Sequence, residues 1–334
     1  MKTSLVITTI NKPNKNIKKI MNLCKKNKSK LIIIGDKKTP KNFKISYGCF
    51  YNVLNQKKLI FKFSRICPHN SYARKNIGYL ISIKDNIETI IETDDDNYPK
   101  NNFLNFLDLK HKVNEIKETG WTNVYKKFVN KDLNLWPRGL PLDKIYNCPT
   151  FKVNKVKKNF YLKQGVCEGN PDVDAIYRIV NKDINIKFKK NYKFSLGKAI
   201  SPINSQNTIW NKKFFPLMYL PVTCTMRATD IWRGLIALKI ISNDNLTVLF
   251  FGTTMKQNRN FHNLKNDLQE ELPLFENIEN ALEILSKLKL KKGKQNYLEN
   301  LFKSYECLVN NNIFDKKEIY YLKSWIFDIN KLNR

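Results

Sequence analysis

Three short apolar runs constrain this chain more than any other feature. Ser4–Ile10 (SLVITTI), Lys30–Ile34 (KLIII) and Glu88–Ile91 are rich in β-branched residues and end in polar or turn-forming segments. Such runs read as buried strands. Between the first two lies a basic periodic stretch, from about Asn14 to Lys26, that reads as a helix with Pro13 near its start. A weaker strand is expected over Leu59–Phe63, and Ser71 is placed to cap a helix running to about Asp85. Strand, helix, strand, helix and strand predict an α/β fold with a mainly parallel central sheet and ligands at its carboxyl edge. Gly35 makes no dinucleotide fingerprint, because the first strand leads into TTINKPN and no GxGxxG follows. That counts against a dinucleotide oxidoreductase.

From Gly120 to Asn211 the helical period fades into aromatics, prolines and short strands, as acceptor-side loops would. Thr229–Ile241 reads as a helix and Leu246–Phe251 as a strong strand. Helical blocks follow near 265–288, 294–308 and 316–330. The chain is therefore divided into a catalytic domain, 1–264, and a helical C-terminal extension, 265–334. That extension either buttresses the catalytic domain or supports a homodimer.

A length of 334 residues allows a full core, and 42% hydrophobic residues exclude a disordered chain. The formal charge of +31 attracts polyanions such as acidic membrane surfaces, phosphorylated glycans or nucleic acid. From Met1 to Lys75, Asp36 is the one acidic residue against nineteen Lys or Arg. No zinc-finger spacing or RNA-recognition signature accompanies the charge, so nucleic acid is a distant reading. The seven cysteines are odd in number, scattered and free of CxxC. They suggest a reducing compartment, hence a cytoplasmic protein, soluble or peripheral at an anionic membrane. No apolar run approaches the roughly 20 residues of a spanning helix.

The sharpest local feature is Glu92-Thr93-Asp94-Asp95-Asp96-Asn97, three consecutive carboxylates at a strand end. Alternation puts Asp94 and Asp96 on one side and Asp95 on the other. Two oxygens on one side suit Mn²⁺ or Mg²⁺ together with substrate phosphates; an acidic turn capping a helix is the plainer alternative. Asp36, at the mouth of the second strand, suits a ribose or base, or a turn. Arg74 and Lys75 suit a diphosphate or the carboxylate cluster, or solvent.

The series VITTINKP, GDKKTP, ARKNIGYL, TDDDN, LWPRGLPLD, GNPDVDAIYRI, SPINSQNT and TCTMRATDIWRG, with the Arg259-Asn260 to His262 region, resembles the STELLO-type glycosyltransferases. It is similar more distantly to the plant reversibly glycosylated polypeptides, which act as UDP-arabinopyranose mutases. The resemblance covers roughly residues 3–265 and implies a GT-A-like nucleotide-sugar-binding fold. It implies that Thr8 and Thr9 border the nucleotide, that Asp36 faces base or ribose, and that Asp94 and Asp96 form a DxD metal element. Asp94 and Asp95 are also assigned to the nucleotide-sugar. His262 would complete the metal shell and Arg259 would serve the diphosphate.

The middle motifs add chemistry. Asp174 either contacts sugar hydroxyls or pairs with Arg178 at i,i+4. Ser205, Gln206 and Asn207 offer neutral donors and acceptors. Asp230, at the start of TDIWRG, is the preferred catalytic base, with Arg233 as a phosphate contact; helix capping by Thr229 and Asp230 is the alternative. These assignments predict a metal-dependent glycosyltransferase that moves a sugar from a nucleoside-diphosphate donor, UDP-linked by family habit. Its acceptor would be a saccharide, or a lipid-linked or phosphorylated glycan. A sugar-nucleotide mutase and a non-catalytic glycan-binding scaffold are the alternatives.

Overall fold

The computed structural model describes residues 2–129, 133–147, 152–182, 184–259 and 263–333. Its first half follows the expected order. Strands β1 (Thr3–Thr9) and β2 (Lys30–Gly35) flank helix α1 (Lys15–Lys26). Asn14 caps α1, its side chain accepting from the Ile17 N–H at 2.9 Å. After β3 (Cys49–Tyr51) come two short helices, α2 (Val53–Lys57) and α3 (Lys62–Ile66). Ser71 then caps a single 3₁₀ turn that runs into α4 (Lys75–Lys84), and β4 (Thr89–Thr93) follows.

One expected element differs. Leu59–Phe63 is not a strand; its end belongs to α3, and the third parallel strand is the upstream β3. The reason is tertiary. The Asp328 carboxylate, from the far end of the chain, accepts the Lys62 and Phe63 N–H groups at 2.9 and 2.8 Å and so caps α3.

Strands β5 (Asn97–Pro99), β6 (Lys110–Ile116) and β7 (Gly120–Trp121) lead to α5 (Val124–Phe128). Next come β8 (Val153–Asn159), β9 (Leu162–Gly169) and α6 (Ala175–Val180). Strands β10 (Lys193–Ser195), β11 (Ala199–Ile200) and β12 (Asn207–Asn211) precede α7 (Thr229–Ser242) and β13 (Val248–Gln257). The chain closes with α8 (Leu264–Lys287), α9 (Tyr297–Asn310) and α10 (Glu318–Leu332).

The eleven-stranded sheet runs β3-β2-β1-β4-β12-β9-β13-β10-β6-β8, with β5 pairing to β13. β3, β2, β1 and β4 are parallel, whereas β12 lies antiparallel to both β4 and β9, and β10 antiparallel to β13. The sheet is thus mixed, not mainly parallel as expected. The stretch 120–211 is also more than loops, because β9 and the fully buried β12 lie inside the sheet.

Alternation sorts the parallel strands onto two cores. Val6, Ile32, Ile34 and Ile90 face one cluster, with α4, α7 and the C-terminal helices. Leu5, Ile7, Leu31, Ile33 and Ile91 face another, with the Ile17, Ile20 and Met21 stripe of α1. Gly78 lets α4 lie directly on β1, since a Cβ there would stand 2.4 Å from the Val6 Cγ1. Among the described residues no helix is long and apolar enough to cross a membrane.

One polar network sits inside this apolar packing. Glu92 on β4 accepts Arg233 of α7 through both guanidinium ends, at 2.8 and 2.7 Å, and the Trp210 indole N–H at 2.7 Å. The Tyr79 hydroxyl donates to the same carboxylate. Replacing Arg233 with Met strands a buried carboxylate, and should cost about 3–5 kcal/mol. The double change Arg233→Met/Glu92→Gln should recover most of that loss in urea denaturation at neutral pH. A double variant as unstable as the single one would contradict this account.

Candidate active site at the carboxyl edge of the sheet

In the order β3-β2-β1-β4 the chain reverses direction of travel across the sheet beside β1, and ligands of open α/β sheets bind where that reversal opens a crevice. A cavity of about 570 Å³ lies there. The carboxyl ends of β1, β2 and β4 supply Thr8, Thr9, Asp36 and Asp94–Asp96 to its lining. The opposite wall comes from later chain and includes Arg138, Asp172, Arg227, Asp230 and Arg259.

The three aspartates do different things. Asp95, in the turn that follows β4, differs from its neighbours in its partners. Its Oδ2 accepts Thr9 Oγ1 at 2.5 Å and Asn11 Nδ2 at 3.0 Å, and its carbonyl accepts Asn14 and Asn16 amides at 2.8 and 3.1 Å. Asp95 therefore fastens the β1–α1 loop. Asp94 Oδ1 accepts Tyr72 Oη at 2.7 Å and the fully buried Lys75 Nζ at 2.8 Å, while its side chain stays 29% exposed. Burial lifts the Asp94 carboxyl above its ordinary range even though Lys75 pulls the other way. Asp96 Oδ2 accepts Gln257 Nε2 at 3.0 Å, but its Oδ1 is buried with no hydrogen-bond partner. Burial first, and the nearby Asp94 second, push Asp96 up to about 7.

Asp36 accepts the Lys37 and Ser71 N–H groups at 2.7 and 3.2 Å, so it shapes the rim as well as lining it. Arg74 lines the cavity but spends Nη1 on the Cys67 and Pro68 carbonyls, each at 3.0 Å, and Nη2 on Gln56. Lys75 does not line the cavity itself and reaches it through Asp94 and Tyr72, donating to them at 2.8 and 2.7 Å.

Asp230 stands in the first turn of α7. Its Oδ2 accepts both the N–H and the hydroxyl of Ser205 at 3.0 Å, and Arg138 bridges its two oxygens at 3.1 and 3.3 Å. Ser205 Oγ also meets Tyr72 Oη, so Asp94, Tyr72, Ser205 and Asp230 lie in contact in series, with two hydroxyl protons shared among three contacts. Arg138 grips Asp172 as well, with Nε–Oδ1 at 2.9 Å and Nη2–Oδ2 at 2.8 Å. Burial opposes the Asp172 charge, but Arg138 outweighs it and holds that carboxyl well below the usual range. Arg259 lines the same wall with Nε and Nη2 lacking hydrogen bonds, and Asp267 is 3.5 Å away. Burial, then Arg227, hold its guanidinium below its ordinary value.

Two residues singled out from sequence lie elsewhere. Asp174 caps α6, accepting the Tyr177 N–H at 2.7 Å and the Trp136 indole at 2.5 Å, and does not line the cavity. Arg233 is committed to Glu92 behind β4. His262 lies outside the described residues. Arg138 and Arg227 are the wall residues that sequence reasoning passed over. Both stand inside quoted motifs, but the partners of Arg138 are 34 and 92 residues away and leave no local spacing to read. Among the described residues no group of three or more His, Cys, Asp or Glu side chains gathers as a metal shell.

Fold and site together define an α/β protein with an acidic strand-end cavity faced by a wall of arginines. The chain matches, over residues 227–333, the family model described as STELLO glycosyltransferases. It is 23% identical over 319 residues to "Probable glycosyltransferase STELLO1" of Arabidopsis thaliana, covering 90% of this chain and 41% of that protein. It is 26% identical over 223 residues to "Probable glycosyltransferase STELLO2" of the same plant, covering 61% of this chain and 29% of that protein. The chain thus spans less than half the length of either relative.

The raised Asp96 value has a consequence for metal-free protein. An unfolded aspartate releases its proton near pH 4, whereas folded Asp96 holds it to about 7. Ionisation therefore favours the unfolded chain, with no effect below pH 4 and a growing penalty up to about 7. Asp96→Asn should match wild type at pH 4 and exceed it at pH 8, by on the order of 2–4 kcal/mol. Urea midpoints with chelator at both pH values check this; equal midpoints at pH 8 would refute it.

Proposed function

We propose that this chain is a nucleotide-sugar-dependent glycosyltransferase with a GT-A-like donor site at the carboxyl edge of β1, β2 and β4. One observation supports this most. The cavity sets two carboxylates, one with a partnerless buried oxygen, across from arginines that line the facing wall. Such a site suits a ligand that carries both a divalent cation and phosphate charge.

In this reading Thr8, Thr9 and Asp36 border the nucleoside. Asp94 and Asp96 would hold Mn²⁺ or Mg²⁺. Two protein carboxylates suffice where substrate phosphates and water complete the shell. The open Asp96 Oδ1 and the proton that Asp96 retains both fit a group that awaits positive charge. When bound, the cation would supply charge to the leaving diphosphate. Arg259, whose Nε and Nη2 lack hydrogen bonds, adds fixed positive charge to the lining.

Asp230 is the proposed base. Ser205 already has a second partner in Tyr72, so its hydroxyl can turn from Asp230 and leave Oδ2 with the Ser205 N–H and Arg138 as its remaining donors. Asp230 Oδ2 then takes the acceptor hydroxyl proton. The acceptor oxygen bonds to the anomeric carbon as the bond to the diphosphate oxygen breaks, with its electron pair leaving on that oxygen. Direct displacement of this kind inverts the anomeric centre. The acceptor is a saccharide or glycoconjugate, and UDP is the first donor base to test. Asp174 and Arg233 have structural roles in this scheme.

Calorimetric titration with UDP, GDP, CDP and TDP, each with and without Mn²⁺, tests the reading. One nucleotide should bind wild type in a metal-dependent way, and Asp94→Ala/Asp96→Ala should abolish that binding. Absence of binding in every combination would refute the donor site.

A further inference from the structure

Arg227 enters the cavity wall from the segment that joins β12 to α7, and that segment hangs from the C-terminal helices. Glu318, at the start of α10 and fully buried, accepts the Val222 N–H at 3.0 Å and the Thr223 N–H and hydroxyl at 2.7 Å, together with the Tyr219 hydroxyl. Thr225 Oγ1 donates to the Glu270 carbonyl of α8 at 2.5 Å. Arg227 itself is gripped by Glu271 of α8, whose Oε1 accepts Nε at 2.9 Å and Nη2 at 2.5 Å. Glu271 is fully buried, and its Oε2 accepts the Ala175 N–H of α6 at 2.7 Å.

A buried glutamate is costly unless its partners hold it in place. Both Glu271 oxygens are spent, one on the guanidinium and one on the start of α6. The arginine is left lining the cavity with Nη1 outside that grip. We propose that Arg227 binds the anionic part of the ligand and that Glu271, delivered by α8, is its positioning residue. This inference rests on the donor-site reading above. It makes the C-terminal helices part of the site's construction.

The test compares Glu271→Met, which removes both acceptors at similar volume, with Arg227→Met and the double variant. In ¹⁵N-arginine-labelled protein the Arg227 Nε–H resonance, assigned by its loss in Arg227→Lys, should be protected from solvent exchange. It should lose that protection in Glu271→Met. Calorimetry with UDP and Mn²⁺ should show affinity about tenfold weaker in Glu271→Met, the size of one charge-assisted contact. On the Arg227→Met background the Glu271 change should cause no further loss, an outcome general destabilisation would not give. If Glu271→Met does not fold, Glu271→Gln serves, because its amide has one acceptor oxygen for two sets of donors. An unchanged arginine resonance, unchanged affinity or additive losses would overturn the inference. If wild type binds no nucleotide, the donor reading fails, and the resonance alone decides whether Glu271 positions Arg227.

Discussion

The pairing of Glu92 with Arg233 is the interaction on which the rest of the molecule turns. It joins β4, whose end carries the three aspartates, to α7, whose first turn carries Asp230. Two elements that both contribute to the cavity lining are thereby clamped together. An arginine rather than a lysine suits the position, since the planar fork meets both carboxylate oxygens and stacks over Trp210, 5.0 Å from the ring centre. Everything above the clamp is free to be polar because the clamp itself is rigid and dry.

The first wall was legible in the sequence. Runs of four to seven residues with β-branched side chains gave β1, β2 and β4 to within two residues, and their ends delivered Thr8, Thr9, Asp36 and Asp94–Asp96. The second wall was not legible in the same way. Asp230 and Arg259 were picked out from their motifs, but Arg138, Asp172 and Arg227 join them through contacts between distant segments that a pattern of local spacing does not record. Arg233 and Asp174 misled for a related reason. Both are polar residues in conspicuous motifs, and burial converted both into structural partners.

The parallel expectation failed where the sheet extends past β4. A strand such as β12, buried on both sides, reads as apolar or polar without revealing direction, and direction is set by which neighbour it meets. The Leu59–Phe63 segment failed for another reason, since the cap that makes it helical comes from Asp328.

The wide spacing of the clamp has a consequence for how the protein is made. Glu92 meets Arg233 across 141 residues, and Tyr219 meets Glu318 across 99 more. Synthesis proceeds from the N-terminus, so the acidic strand end emerges long before its guanidinium partners. During that interval Lys75 is the local cation for Asp94, and Glu92 has only Tyr79. The cavity is consequently a late product of folding, closed only after the chain has passed α10.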